Sequence, residues 1–494
     1  MRFLAAVVFA AAAAVAAPAS AAPDGPCSKT ERGRTMQTCL LDRAEALLHG
    51  KVAVADPEES APLWVKLNEV SVDAGDLKRA RRAADRITAG GQRRLAEARV
   101  AALMARQGDR KGAAAILDAM LAQPLPAGQV DWALASVLVA LNEPARTAAW
   151  LEGLPADRQV DGLFALVRAQ QETKRPERAE KLLRDFGDKG TAENTSIIVH
   201  SRTAMDFIAA GRLDASRRML RLMPDVDRPR LEARLALKQD QMGRRAEAEA
   251  ALDALANLPR SSDARMARAV LAARHGDFAA AQKWFPPALS YDQALLDELF
   301  AALAKGGQGA RITAMVATMN NSKDKASVHA RLALASARAG KTAAAAAWLN
   351  KARAILDPLV NLEHGAAPLL IDFSTALGDT VEAMVALDQL DEGRAFTNKL
   401  EVAVQADRYG LARPGVISGL IATNKALFKG KIAQGKPGDV RRLLSRPWRT
   451  TAGLTAFLDA GMPAEAALIA EREGDNDLSK TGDFLAVAQY IAKH

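Results

Sequence analysis

Four segments repeat one pattern of apolar and polar positions: LMARQGDRKGAAAILDAML (103–121), LKQDQMGRRAEAEAALDAL (237–255), LAARHGDFAAAQKWFPPAL (271–289) and LASARAGKTAAAAAWLNKA (334–352). Each runs an alanine- and leucine-rich stretch into a glycine turn and then a second stretch. Alanine stands five places after the glycine, at Ala113, Ala248, Ala281 and Ala345. Apolar or aromatic residues stand eight and nine places after it: Ile116/Leu117, Ala251/Leu252, Trp284/Phe285 and Trp348/Leu349. The pattern predicts two helices per unit, joined at the glycine.

Extended along the chain, the register places turns at Gly75, Gly108, Asn142, Lys174, Gly211, Gly243, Gly276, Gly307, Gly340, Gly378 and Gly410. Successive gaps lie between 31 and 38 residues. Two closer turns follow at Gly435 and Gly461. A period near 33–34 built of two helices is a helix-hairpin solenoid. Glycine supplies the positive φ that ends the first helix. The small alanine lets the two helices cross closely, and the bulky pair one turn later fills the space between units. Proline at Pro124, Pro155, Pro224, Pro259 and Pro358 is expected to stop the second helix.

The glycine turn, the alanine after it and the terminal proline resemble the tetratricopeptide repeat over roughly residues 60–410. Most of the large aromatic residues of that family's first helix are missing. The resemblance implies a right-handed superhelix of antiparallel helix pairs, with a concave groove for peptides or proteins, and does not by itself imply catalysis. The ankyrin repeat has a similar period, but its Thr-Pro-Leu-His signature is absent from this sequence. Exported lytic transglycosylases also carry α-solenoids, yet no segment matches their lysozyme-like domain.

Composition agrees with this reading. Hydrophobic residues form 49% of the 494, but aromatics only 4%. Alanine, the best helix former, fills most of the gap. A β-sandwich or barrel is therefore excluded. The expected fold is all-α: a superhelical α-solenoid of about a dozen antiparallel hairpins.

The N-terminus predicts the compartment. Arg2 precedes an apolar run from Phe3 to about Ala17, then Pro18 and Ala19-Ser20-Ala21. That is the layout of a secretory signal peptide cleaved after Ala21 or Ala22. With its Ala/Arg-rich composition it suggests a bacterial periplasm. No other stretch reaches the length of a membrane span. In an oxidising compartment Cys27 and Cys39 most simply form a disulfide. Without a nearby histidine they do not complete a metal site.

Motifs with chemical associations are weak. Ala335–Thr342 fits the loose phosphate-loop pattern, but Gly340 lies on the repeat turn and a helix is expected before it, where a nucleotide site needs a strand. Ser322–Lys325 fits S-x-x-K and Lys480–Gly482 fits K-T-G, yet the middle element of penicillin-interacting enzymes is missing. None of the six histidines has paired helical spacing. No catalytic, cofactor or metal constellation is expected.

Charge is localised. Residues 408–450 hold ten cations (Arg408, Arg413, Lys425, Lys429, Lys431, Lys436, Arg441, Arg442, Arg446 and Arg449) against Asp439, which equals the chain's net +9. The flanks 372–407 and 452–483 are acidic. Two readings follow. The patch pairs with its acidic neighbours across stacked helices, or it meets an anionic glycan, lipid surface or acidic protein. Nucleic acid does not suit an exported chain with few aromatics for stacking.

The expected organisation is a signal peptide (1–21), an N-terminal segment with the cysteine pair (22–58), hairpin repeats (59–410) and a basic, divergent helical part ending in a cap (411–494). The expected role is a periplasmic scaffold for other envelope proteins or peptides, with no cofactor. Two alternatives are an envelope structural protein that binds an anionic surface through 408–450 and a regulator or enzyme of wall metabolism.

Overall fold

A computed structural model describes the chain except for residues 1–26, 28–32, 53–56, 124–129, 174, 187–196, 224–227, 257–261, 287–291, 361–372, 406–412, 445–446 and 472–476. The signal segment with Ala21 and Ala22, Lys174, Gly410 and Arg446 therefore lie outside the described residues, as do Pro124, Pro224 and Pro259. Among the described residues there are 26 α-helices and no strand.

The first helix, α1 (Gly33–Leu47), runs into a short π-helical turn at Leu48–Val52. Twelve hairpins follow. They are α2 (Pro57–Asp73) with α3 (Leu77–Arg86), α4 (Gly90–Arg106) with α5 (Arg110–Ala122), α6 (Trp132–Leu141) with α7 (Pro144–Glu152), and α8 (Ala156–Glu172) with α9 (Pro176–Phe186). Next come α10 (Ile197–Ala209) with α11 (Leu213–Leu222), α12 (Arg228–Gln241) with α13 (Arg245–Ala256), α14 (Ser262–Arg274) with α15 (Phe278–Trp284), and α16 (Gln293–Lys305) with α17 (Gly309–Thr318). The last four are α18 (Ser322–Arg338) with α19 (Thr342–Val360), α20 (Ser374–Ala386) with α21 (Leu390–Gln405), α22 (Arg413–Ala433) with α23 (Pro437–Leu443), and α24 (Pro447–Asp459) with α25 (Pro463–Ala470). A final helix, α26, spans Asp477–Lys493.

The turns have one construction. At Gly276, φ is 77°, its N–H bonds Ala273 O at 3.1 Å, and the N–H of Asp277 bonds Ala272 O at 3.0 Å. That is the Schellman arrangement, and it recurs at Gly75, Gly108, Gly211, Gly243, Gly307, Gly340, Gly435 and Gly461. The residue after the glycine often starts the next helix. Asp277 and Asp109 each accept a bond from the amide three residues on, at 2.9 Å. A Gly-Asp pair thus ends one helix and caps the next. Asn142 supplies a left-handed turn without glycine, at φ 52°.

The register breaks after Gly340. Gly378 is not a turn: it is buried inside α20, where a Cβ would stand 3.0 Å from the Cβ of Ala422 on α22. Its glycine serves a close helix crossing. The turn of that hairpin falls instead at Asp388, with φ 62° and the same two bonds, from Asp388 N to Val385 O and from Gln389 N to Met384 O. Pro358 also departs from expectation, because α19 runs past it to Val360.

The repeat positions pack as the pattern requires. Ala113, Ala248, Ala281 and Ala345 are fully buried, and Leu117, Leu252, Phe285 and Leu349 are buried beside them. The larger members at the eighth position, Trp150, Trp284 and Trp348, are half-buried against the core. Even-numbered helices pack on one another from unit to unit, whereas odd-numbered helices barely touch their counterparts. The even helices therefore form the tighter, concave layer.

The two ends of the chain meet. α26 packs along α1 and also against α2, taking the place of an even helix beside α25. α1 stands to α26 as an odd helix stands to its partner. The thirteenth hairpin is thus assembled from the last helix and the first, and the solenoid is closed. One continuous core joins residues 27–169 to residues 326–488 through this junction. Phe484, Leu485, Val487 and Ala488 of α26 and Leu40, Leu41 and Ala44 of α1 are all buried in that shared core. Burying each large side chain contributes about 1.5–3 kcal/mol. A disulfide joins Cys27 to Cys39 of α1, and the Cys27 N–H donates to Glu471, just after α25.

Candidate binding faces

Successive even helices are cross-tied by arginines. Arg168 on α8 bonds Asp206 on α10 at 2.7 Å. Arg274 on α14 reaches back to Asp240 on α12 at 3.0 Å and forward to Glu298 on α16 at 2.5 Å. Arg331 on α18 bridges Asp297 on α16 and Asp379 on α20, the latter at 2.8 Å. Arg338 continues to Glu382 at 2.5 Å. Arg234 binds Asp292, the N-cap of α16. Burial is the largest single influence and raises the Asp292 carboxyl, but the hydrogen bond and charge of Arg234, the Leu295 amide and the charge of Arg230 together hold the group below the ordinary range. Burial dominates at Asp379, which is raised despite Arg331.

Between α16, α18 and α20 this layer opens into a groove of about 400 Å3. Phe300 and Leu332 form its apolar floor, and Asp297, Arg331, Arg338 and Glu382 line it. Ala335 sits in it as an exposed small residue. An apolar floor under mixed charges suits an extended or helical segment, because side chains of both kinds find partners there.

The basic segment is divided. Lys425 and Lys429 converge on Asp459, at 2.8 and 3.7 Å. Arg449 grips Glu401 with two bonds of 2.8 Å. For these three, pairing with the acidic flanks is the observed arrangement. Lys431 and Arg449 also line a small cavity with Arg394, Asn398 and Asn424. Lys436 precedes α23 without capping it. Arg441 and Arg442 belong to α23, and their side chains lie outside the described residues. The sequence reading missed Arg394, Asn398 and Asn424. The first two stand in a stretch that reads as acidic, and only the crossing of three helices brings them to the cations.

The motif fragments take structural places. Gly340–Thr342 is the turn between α18 and α19, so a helix stands where a phosphate loop needs a strand. Ser322–Lys325 opens α18 after its N-cap Asn321, and Lys480–Gly482 lies inside α26. Among the described residues no group of three metal-binding side chains converges. No helix among them is long and apolar enough to cross a membrane.

These features define a helix-hairpin α-solenoid, of tetratricopeptide-like construction, whose ends join. No family model matches the chain, and no curated protein matches its sequence. Solved structures with similarity include the pentatricopeptide repeat protein PPR10 from maize, at 13% identity over 88% of this chain and 78% of that one, with a TM-score of 0.32. The APC/C hetero-tetramer Cut9–Hcn1 is similar at 14% identity over 85% and 92%, with a TM-score of 0.25. A circular tandem repeat protein with novel repeat topology is similar at 13% over 93% and 90%, with a TM-score of 0.17. At such scores the superpositions are loose, and the architecture rests on the turns and helix order described above.

Proposed function

We propose that the chain is an exported scaffold that holds segments of other cell-envelope proteins on its even-helix face. The observation that carries this reading is the groove across α16, α18 and α20, with its apolar floor and its cross-tied charges. The signal-like N-terminus supports export, and the periplasm is the compartment such a segment leads to. Recognition would proceed without bond-making: apolar anchors of the partner cover Phe300 and Leu332, and its charges exchange with the partly exposed Arg338–Glu382 pair. Exposed pairs of this kind are worth about 0–1 kcal/mol, so opening one costs little.

The test is a photo-crosslinking residue placed at Ala335 in the native host. It is compared with one at Asp118, which is 65% exposed on α5 of the outer layer. Specific envelope proteins captured from position 335 and not from 118 are the expected result. Identical captures from both positions, or none from either, would overturn the reading.

A further inference from the structure

The small cavity between α21, α22 and α24 is separate from the even-helix groove. Its volume is about 50 Å3, room for roughly four water positions. Arg394 and Asn398 come from α21, Asn424 and Lys431 from α22, and Arg449 from the start of α24. Arg449 is fixed in place by the Glu401 carboxylate, which also neutralises it. Arg394 and Lys431 form no ion pair with any described residue. Among the described lining residues the one carboxylate is Asp391, which is exposed. Arg394, Lys431 and Arg449 against Asp391 and Glu401 leave the described site with a net positive charge.

Its inner wall is built rather than incidental. Asn424 is 3% exposed and Thr397 is 2% exposed. Asn424 donates to Leu420 O at 2.9 Å, and Thr397 donates to Gly393 O at 2.9 Å, so neither is free to swing away. Phe428, also buried, closes the apolar side. The Thr397 hydroxyl has spent its proton on Gly393, but the fixed Asn424 amide keeps a second N–H, and beside the cations Arg394 and Lys431 it makes a preformed receptor for negative charge.

Size and donor number select the anion. A carboxylate offers two oxygens, which leaves part of this donor set unanswered. A phosphate group offers three or four, matching a guanidinium fork, an ammonium and the two amides. A sugar or nucleoside body does not fit in 50 Å3 and would stay outside, at the mouth where Arg394 and Asn398 are exposed. We propose that this cavity, formed by Arg394, Asn398, Asn424, Lys431 and Arg449, binds the phosphate group of a phosphorylated ligand.

The full chain is titrated with inorganic phosphate and, separately, sedimented with phosphatidylglycerol or phosphatidylcholine vesicles. Saturable phosphate binding, weakened at least tenfold by Lys431→Gln and by Arg394→Gln with unchanged thermal melts, is the expected result for a soluble phosphorylated ligand. Binding to phosphatidylglycerol vesicles alone, lost in the same variants, assigns the phosphate to a lipid headgroup. Lys425→Gln serves as control, because Lys425 pairs with Asp459 outside the cavity. Equal weakening by Lys425→Gln means that diffuse charge does the binding and overturns the site. So does binding that survives both cavity substitutions, or no binding in either arm.

Discussion

The amide of Gln37 donates to the carbonyl of Ala488 at 3.1 Å across 451 residues of sequence. Both groups are buried, so the bond exists only while α1 and α26 are docked. Gln489 adds a bond to Glu69 at 3.0 Å, and Arg43 faces Glu471 at 3.6 Å. In an open solenoid the terminal units each bare one apolar face. Here each end covers the other.

This closure predicts a dependence that an open array lacks. Removing residues 477–494 strips the cover from Leu40, Leu41 and Ala44, at the opposite end of the chain. Limited proteolysis should then cut within residues 33–47, which resist cleavage in the full chain. Reducing the Cys27–Cys39 bond should raise hydrogen exchange in α1 and α26 before any other helix. If α1 stays equally protected in the truncated chain, the two ends do not hold each other.

The glycines separate into two physical kinds, and substitutions tell them apart. At Gly276 a Cβ would meet nothing within 4 Å, so Gly276→Ala pays only for the positive φ, about 1 kcal/mol. At Gly378 the backbone is helical and the cost of Gly378→Ala comes from Ala422, on the order of 1–3 kcal/mol. Adding Ala422→Gly should restore Gly378→Ala and leave Gly276→Ala unchanged. Local hydrogen-exchange free energies of the two hairpins read the difference.

Asp388 offers the opposite sign. It holds φ 62° in a turn that glycine makes at nine other hairpins. Asp388→Gly removes the left-handed strain and should stabilise α20 and α21 by about 0.5–1 kcal/mol, net of glycine's greater entropy in the unfolded chain. Slower exchange in α20 and α21 is the expected readout, and faster exchange would show that the Asp388 side chain contributes something the turn geometry does not.

These contrasts show where residue order reaches its limit. Turn glycines are legible because only a residue without a Cβ enters the left-handed region cheaply, so Gly276 carries its conformation in its identity. Gly378 has the same letter for a different reason, a crossing partner 44 residues away, and spacing alone placed a turn there. The arginine ties are hidden in a similar way: nothing about Arg331 distinguishes it from its solvated neighbours until helix rotation sets it between Asp297 and Asp379. The closure is least legible, because Gln37 and Ala488 are ordinary residues whose pairing depends on the summed curvature of every unit between them.

His329 gives the fold a pH response with a definite sign. The side chain is buried in α18 and stacks on Trp348 of α19, with ring centroids 5.6 Å apart. Lys351 lies over the same tryptophan, 4.3 Å from its centroid. Burial, with Lys351 and then Lys325 adding to it, lowers the His329 pKa from 6.5 to about 4. The folded state therefore keeps the ring neutral where the unfolded chain protonates it. Stability from this group is fully present above pH 6.5, declines as pH falls, and is gone below the folded pKa. The loss amounts to roughly 3 kcal/mol at most. Hydrogen exchange of α18 and α19, measured at pH 7, 5.5 and 4 with correction for intrinsic rates, should show the decline in the native chain. His329→Phe keeps the stack and removes the titration, so its hairpin should lose far less stability over the same range. Equal declines in both chains would assign the effect to carboxylates elsewhere. Because Arg331 and Ala335 lie on α18 itself, the native decline would loosen the groove together with the hairpin, and partner capture at position 335 should weaken below pH ~5.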